Sequence, residues 1–238
     1  MNLTFPDDAR MAGDQFVRGD EAETVALLKD LAGDGPALEL GVGSGRIALP
    51  LSEEGIRVDG IDISGENVAE LRRKPGGEAL SVTMGNFADV AVSGSYRLVY
   101  VVWNTLFNLV TQDEQVRCFE NVAAHLADGG VFLIEAYTPA WIFRLDRDQY
   151  VDAEAVGAAE VRLDVARHDP VTQTLYENHV SLTEAGVRFN PVITRHSWPS
   201  ELDLMARIAG LSLKYRWGDF NRQPFTARSY RHVSVYGR

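Results

Sequence analysis

The chain has 238 residues, of which 45% are hydrophobic, so it is long enough to bury one sizeable core. Its 34 acidic residues outnumber 23 Lys and Arg, and a net charge of −11 argues against a nucleic-acid partner. A single cysteine excludes an internal disulfide, and the absence of a signal-like leader or a long apolar run predicts a cytoplasmic protein outside the membrane.

Helical and extended patterns alternate through the first half of the chain. An amphipathic helix is predicted at 20–32, and a second helix at 44–54 is expected to kink or tighten around Pro50. A third helix at 65–73 begins at Ser64, whose hydroxyl can accept a free backbone N–H. The strands predicted between and after these helices lie at 36–41, 56–62, 79–84 and 97–103.

The fourth helix has the clearest boundaries in the sequence. Thr111 and Glu114 form a T-x-x-E capping box at its start, and Gly129 and Gly130 are predicted to end it. A fifth strand follows at 131–137. This regular alternation predicts an α/β fold with a doubly wound, mainly parallel sheet.

The pattern changes after residue 137 to extended runs joined by short turns. Three runs, starting at Val161, Val171 and Val187, predict an antiparallel meander inserted after the fifth strand. An exposed edge of this meander is a candidate surface for pairing two subunits into a homodimer. A helix at 199–210 and extended segments at 211–217 and 229–236 then complete the chain.

A glycine turn follows the first predicted strand. Gly41, Gly43 and Gly45 come after Glu39, whereas a dinucleotide fingerprint would place its third glycine where Arg46 stands. Asp62 ends the second strand, where a carboxylate can accept hydrogen bonds from ribose hydroxyls. These residues indicate an adenosine-containing ligand and leave NAD and S-adenosylmethionine both open.

Several motifs together resemble the class I S-adenosylmethionine-dependent methyltransferases. The resemblance rests on E-L-G-x-G-x-G at the glycine turn, Gly85-Asn86-Phe87 after the third strand, the loop 103–108, the segment DGGVFLIEAY, and the arrangement of the final strands. It implies a Rossmann-like, doubly wound, mainly parallel seven-stranded sheet. The insertion is similar to that of bacterial small-molecule methyltransferases, including amino-sugar and glycine methyltransferases.

The resemblance also implies a domain organisation and an activity. Residues 1–34 would form a lid and first helix, 35–137 the S-adenosylmethionine-binding core, 138–197 an insert covering the substrate site, and 198–238 the end of the core sheet. The implied reaction is in-line methyl transfer to a nitrogen or oxygen of a small molecule. An NAD(P)-dependent oxidoreductase and a non-catalytic S-adenosylmethionine-binding regulator are the alternatives.

The resemblance assigns roles to individual residues. The cofactor-binding residues are expected to be Glu39, Gly41, Val42, Gly43, Gly45, Arg46, Asp62, Ile63, Asn86, Phe87, Trp103 and Asn104. Candidates for the substrate site are Phe16, Phe107, Glu135 and Trp198, and candidates for a catalytic role are Tyr137 and His196. The five histidines lack the spacing of a metal site, so no metal is expected.

Overall fold

A computed structural model of the chain describes residues 18–89, 92–145 and 147–238. It contains a seven-stranded sheet and a separate four-stranded sheet. Phe16 and most of the segment expected to form a lid lie outside the described residues.

The helices and strands follow the predicted order except for one additional strand in the insert, and several of their ends are shifted. The helices are α1 (Glu21–Ala32), α2 (Ala48–Glu53), α3 (Gly65–Arg73), α4 (Gln112–His125) and α5 (Pro199–Ile208). The strands of the large sheet are β1 (Ala37–Leu40), β2 (Val58–Asp62), β3 (Ser81–Met84), β4 (Tyr96–Val101), β5 (Leu126–Tyr137), β10 (Ser212–Trp217) and β11 (Arg231–Gly237). The insert contains β6 (Gln149–Val156), β7 (Glu160–Asp169), β8 (Thr174–Thr183) and β9 (Gly186–Arg195).

The large sheet has the strand order β10-β11-β5-β4-β1-β2-β3. Within it β11 alone runs against its neighbours, because it pairs antiparallel with both β5 and β10. The direction in which successive strands are added reverses between β1 and β4, which are paired. Open α/β sheets bind ligands at such a reversal, beyond the carboxyl ends of the strands. The predicted doubly wound, mainly parallel fold is confirmed.

Helices cover both faces of this sheet. One apolar core lies between the sheet and α1, α2 and α3, and the other lies between the sheet and α4 and α5. All four residues of β1 are buried, as are five of the six residues of β4. Burial on both faces is the reason that these strands lack an alternation of polar and apolar residues.

The end of α4 differs from the prediction. The helix stops at His125, and Leu126 already pairs with Tyr96 in β4. Gly129 and Gly130 instead form an irregularity within β5, where Gly129 has φ +67° and a Cβ on Gly130 would lie 2.7 Å from the Tyr96 carbonyl oxygen. The two glycines therefore serve a close backbone approach within the sheet.

The second helix is shorter than predicted. The helix α2 begins at Ala48, so Pro50 lies in its first turn, where a missing N–H leaves no helical hydrogen bond unmade.

The insert has four antiparallel strands in the order β6-β7-β8-β9, whereas three were predicted. The missed strand is β6, whose sequence QYVDAEAV contains few large apolar residues. Tyr150, Asp152 and Glu154 alternate with Val151 and Ala153 along it, so its polar residues share one face. Pairing of two subunits along an edge of this sheet remains a prediction.

No helix in the described ranges is long and apolar enough to cross a membrane.

Gly45 is the position at which a side chain is expected to disturb the fold most directly. It has φ +84°, and a Cβ there would lie 2.2 Å from Cδ1 of the buried Leu71. We expect Gly45→Ala to lower the free energy of unfolding by roughly 2–4 kcal/mol, as backbone strain and overpacking add. Urea titration followed by circular dichroism measures this change.

Gly55→Ala is the matched control, because Gly55 has φ +88° and open space around its Cβ position. This variant introduces the backbone strain without the packing clash, so we expect its free energy of unfolding to fall by about 1–2 kcal/mol. Equal losses in the two variants would contradict the packing part of the argument.

Candidate active site

A cavity of about 870 Å³ lies between the large sheet and the insert. The core contributes the ends of β1, β4 and β5, and the insert contributes one face of its sheet. Lining residues from the core are Arg18, Glu39, Gly41, Val42, Arg46, Val102, Trp103, Asn104, Thr105, Asn108 and Tyr137. Those from the insert and its connection include Trp141, Leu145, Tyr150, Val151, Asp152, Glu154, Asp164, Glu177, His179, Val192 and Thr194.

The glycine turn forms the core end of this cavity. Gly41, Gly43 and Gly45 have φ of +73°, +55° and +84°, values that residues with a Cβ rarely adopt. A Cβ on Gly41 would lie 2.5 Å from Cγ2 of Thr105 in the loop after β4. Glycine is therefore required here both by backbone conformation and by the close approach of two loops.

Asp62 holds the glycine turn in place. One carboxylate oxygen accepts the Gly43 N–H at 2.7 Å, and the other accepts the Ser64 N–H at 2.7 Å. The side chain is buried, so these charge-assisted bonds are shielded from water. Asp62 thus connects the turn after β1 to the start of α3, while its expected contact with ribose stays a prediction.

Ile63, Asn86 and Phe87 lie beyond the ends of β2 and β3, outside the lining of the cavity. The Gly85 N–H donates to the Asp62 carbonyl oxygen at 2.9 Å, which places these residues beside Asp62. Ile63 is 59% exposed, and the Asn86 side chain accepts the Ala88 N–H at 2.9 Å. The exposed apolar surface of Ile63 is available to pack on a planar ligand.

Glu39 is buried at the end of β1 and lines the cavity. Its carboxylate accepts a hydrogen bond from the Tyr100 hydroxyl at 3.0 Å. Burial, followed by the charge of Glu39, raises the pKa of Tyr100, so the phenol remains a neutral donor.

Trp103 and Asn104 form a strained turn after β4. Both are left-handed, with φ of 56° and 61°, a conformation that costs a non-glycine residue of order 1–3 kcal/mol. The turn is fastened to β5: Glu135 accepts the Trp103 N–H at 2.6 Å, and the Asn104 side chain accepts the Tyr137 N–H at 2.7 Å. These bonds hold both predicted residues at the cavity wall.

Two arginines pack against Trp103. The Arg46 guanidinium lies 3.9 Å from the centroid of the indole ring, and Arg18 lies at 5.6 Å. Arg46 also pairs with Glu21 at 3.2 Å. Arg46 therefore lies at the core end of the cavity, as expected, and both guanidinium groups there are paired with carboxylates.

Glu135 was expected to contact substrate, but it does not line the cavity. It is 1% exposed, and both of its oxygens are engaged by Arg18, at 2.8 and 3.1 Å. Arg231 lies 3.6 Å from the same carboxylate. Its role in the structure is to hold the neighbouring elements together.

Phe107 and Tyr137 pack against each other, with ring centroids 5.1 Å apart and edge to face. Phe107 is completely buried behind the cavity wall, so its place is in the core and not among the lining residues. Tyr137 lines the cavity, and its buried hydroxyl lies near Thr194 and Glu177 without a hydrogen bond of good geometry to any described residue. Burial raises the pKa of Tyr137, which keeps this phenol neutral.

His196, a catalytic candidate from the sequence, does not line the cavity. It is 0% exposed, and its Nε2 lies 2.9 Å from Nε2 of His168. Phe143 contacts both rings, and Trp198, expected to bind substrate, packs on Phe143 outside the cavity lining. These residues form the junction between the insert and the core.

The face of the insert sheet that lines the cavity is rich in carboxylates, which the sequence prediction missed. The Tyr150 hydroxyl lies 2.7 Å from Oδ2 of Asp164 and 3.3 Å from Oε1 of Glu177. Thr194 donates to the other oxygen of Glu177 at 3.3 Å. The missed signal was the alternation of polar residues along β6, the first strand of this sheet.

Burial changes the acidity of this cluster. Burial first, and then the charge of Asp164, raises the pKa of Glu177 to about 7. Burial also raises the pKa of Asp164 and of Tyr150. Glu177 is therefore able to gain and lose a proton near neutral pH.

Glu154, Asp164 and His179 offer carboxylate and imidazole atoms that all lie within 4.8 Å of one another. Histidine spacing in the sequence did not reveal this cluster, because its members come from three different strands. His179 pairs with Glu154 at 2.6 Å, and Asp164 accepts a hydrogen bond from Tyr150. All three members of the cluster therefore already have protein partners. We interpret the group as the outer part of the hydrogen-bonded acidic face.

Comparisons with known proteins agree with this architecture. Residues 37–130 match a family described as a methyltransferase domain. The CcbJ methyltransferase from Streptomyces caelestis is 38% identical, covers 95% of this chain and 92% of its own, and superposes with a TM-score of 0.88. At this coverage the likeness includes the insert as well as the core sheet.

Two other proteins extend the comparison. A cypemycin N-terminal methyltransferase from a Streptomyces species is 27% identical over 84% of this chain and 82% of its own length. The structure of CalS10 from Micromonospora echinaspora, an amino pentose methyltransferase with SAM bound, shares the fold with a TM-score of 0.71. It is 19% identical, over 99% of this chain and 98% of its own.

The buried histidine pair predicts acid sensitivity of the fold. Burial, then the charges of His168 and Arg195, lowers the pKa of His196 to about 4. The folded state therefore binds fewer protons than the unfolded state between about pH 4 and pH 6.5, and stability is lost as the pH falls through this window. The free energy of unfolding should fall between pH 7 and pH 5, and we expect His196→Gln to reduce this fall by about 1–2 kcal/mol. Urea titrations at both pH values measure it.

His125→Gln, on α4, is the matched control for the number of histidines. An equal loss of unfolding free energy in His196→Gln and in the wild type over this pH range would contradict the role assigned to the histidine pair.

Proposed function

Because the chain belongs to the class I S-adenosylmethionine-dependent methyltransferases, we propose that it methylates the nitrogen of a small amine. The observation that carries this proposal is the row of carboxylates on the insert face of the cavity. Membership in the family makes the protein an enzyme with a sulfonium methyl donor, which removes the oxidoreductase and the non-catalytic regulator as alternatives. What remains to be proposed is the acceptor.

The core end of the cavity fits S-adenosylmethionine. Gly41 leaves no side chain where the turn meets the cavity, and the buried Asp62 fixes the turn against β2. Arg46 and Glu39 line the same end and would hold the methionyl carboxylate and amino group. S-adenosylmethionine supplies an electrophilic methyl group, so the chain itself has to align the acceptor and exclude water.

The two ends of the cavity differ in how their charged groups are paired. Arg18 and Arg46 at the core end are in salt bridges with Glu135 and Glu21. On the insert side lie four carboxylates: Asp152, Glu154, Asp164 and Glu177. A cavity wall of one sign attracts ligands of the other sign. An acceptor held against this wall would be a cation, as an amine is near neutral pH, whereas an alcohol offers no charge to pair with.

Glu177 supplies the proton chemistry that an ammonium acceptor requires. Only the neutral amine has a lone pair for the methyl group, so one proton has to leave the bound ammonium first. With its pKa near 7, the Glu177 carboxylate accepts that proton under ordinary conditions. Alignment within a closed cavity contributes further, since well-oriented reactions gain about 7–11 kcal/mol from proximity.

The names of two similar proteins support an amine acceptor. One is named as an N-terminal methyltransferase and another as an amino pentose methyltransferase. Both names describe molecules that contain an amino group.

A panel of matched acceptors tests the proposal. Primary and secondary amines are compared with the alcohols of the same carbon skeleton, with labelled S-adenosylmethionine and detection of the methylated product by mass spectrometry. We expect methylation at nitrogen only. Methylation of an alcohol with no methylation of its amine would overturn the assignment.

Glu177→Gln tests the carboxylate wall directly. We expect kcat/KM for the amine to fall about 100-fold or more, because the proton acceptor is removed. Binding of S-adenosylhomocysteine, measured by calorimetry, should stay unchanged, since Glu177 lies at the insert end. The control Glu160→Gln alters an exposed carboxylate of the same sheet and should leave both quantities at their wild-type values.

Asp62→Asn tests the cofactor end. An amide has one acceptor oxygen, so either the Gly43 or the Ser64 N–H loses its partner. We expect S-adenosylhomocysteine to bind about 5- to 100-fold more weakly, equivalent to roughly 1–3 kcal/mol, in isothermal calorimetry. Wild-type affinity would show that this turn does not hold the cofactor.

The control for that variant is Asp59→Asn. Asp59 lies on the same strand, and its carboxylate accepts from the Tyr96 hydroxyl instead of from the glycine turn. It should leave the affinity unchanged.

A further inference from the structure

The Tyr150 hydroxyl lies between two carboxyl groups. Its oxygen is 2.7 Å from Asp164 Oδ2 and 3.3 Å from Glu177 Oε1. A phenol has one proton and can donate it to only one of them. The second contact is favourable only when the other carboxyl is protonated and donates to the phenol oxygen. Both contacts are therefore hydrogen bonds when one of the two carboxyl groups carries a proton in addition to the phenol proton.

The orientation of this chain of groups is set by the sheet. Glu177 is on β8 and Thr194 on β9 donates to it, whereas Asp164 is on β7 and faces His179 and Asp152 in the strand register. Asp152 and Glu154 are exposed. One end of this row of groups thus lies deep in the cavity, beside Tyr137. At the other end, Asp164 lies within 4.8 Å of ligand atoms of His179 and of the exposed Glu154 at the rim.

We propose that Glu177, Tyr150 and Asp164 form a proton relay that carries the proton released by the acceptor ammonium from the cavity to the rim of the insert. The relay rests on the proposed function for the source of its proton. Glu177 is the catalytic member, because it faces the acceptor. Tyr150 and Asp164 act through Glu177 and are positioning residues.

The transfer balances without a further reagent. An N–H bond of the ammonium breaks and its proton joins the Glu177 carboxylate, leaving the amine lone pair free for the methyl group. The Glu177 proton then passes to the Tyr150 oxygen as the Tyr150 proton passes to Oδ2 of Asp164. Asp164 then gives its proton to the neighbouring pair of His179 and Glu154, and the exposed Glu154 releases it to water at the rim. Rotation of the Tyr150 hydroxyl restores the starting state.

The charged and polar neighbours of Glu177 set its affinity for the proton. Burial and Asp164 raise the pKa of Glu177, while His179, Thr194 and Tyr150 lower it. Arg18 and Arg46 are at the opposite end of the cavity, and Tyr137 is neutral. A raised pKa at Tyr150 means that the phenol passes a proton on without remaining ionised.

Two variants are expected to shift the pKa of Glu177 in opposite directions. Tyr150→Phe removes a hydrogen bond that stabilises the carboxylate, so the pKa should rise. Asp164→Asn removes a neighbouring negative charge, so the pKa should fall. Infrared titration of the full chain, with Glu177→Gln as the reference for subtraction, measures the protonated carboxyl directly and needs no acceptor. Shifts in the same direction, or none, would overturn the relay.

Kinetics separate proton transfer from adjustment of the Glu177 pKa. Thr194→Val also removes a hydrogen bond to Glu177 but leaves Tyr150 and Asp164 in place. With the best amine of the acceptor panel, both Thr194→Val and Tyr150→Phe should move the acid limb of the pH profile upward. On the plateau above this limb, kcat of Tyr150→Phe should fall about tenfold with little change in KM, a clearly larger fall than that of Thr194→Val. Equal plateaus would overturn the relay.

The two hypotheses fail separately. If no amine is methylated, the proposed function falls, and the infrared titration still shows whether the three groups are coupled. If amines are methylated and the titration shows no opposing shifts, the relay falls and the amine acceptor stands.

Discussion

The core end of the cavity depends on the buried carboxylate of Glu135. It accepts the Trp103 N–H and two hydrogen bonds from Arg18, with Arg231 close by. A buried charge needs such partners, because an unpaired one would be costly to remove from water. In return, Glu135 holds the left-handed turn of Trp103 and Asn104 and joins the segment before α1 to β5. This one side chain therefore determines the shape of the cavity wall.

The two sheets have different roles. The parallel sheet is covered on both faces, so its strand ends are rigid and place the glycine turn, Asp62 and Trp103 at fixed positions. The insert sheet has one face on the cavity, and that face contains polar and charged side chains. Under the proposed function, the core would hold the methyl donor, and the insert would set the charge that the acceptor meets.

Local signals in the sequence predicted much of the fold. The capping box at Thr111 and the order of strands and helices through β5 depend on near neighbours in the chain, and the structure confirms them. The glycine irregularity in β5 and the start of α2 at Ala48 were not predicted, because each depends on where the preceding element ends. The strand β6 was missed because it contains few large apolar residues, so its alternation of polar and apolar positions is a weak signal.

The sequence by itself determined the glycine turn, the acid at the end of β2 and the doubly wound core, since each of those features depends on residues close together along the chain. Only the tertiary structure decided which side chains meet in the cavity. It placed His196 in a buried pair with His168, and Glu135 behind the wall. It also brought Tyr150, Asp164 and Glu177 together from three strands. Contacts between distant strands follow from sheet register, and a register of β6 to β9 has no local signature in the sequence.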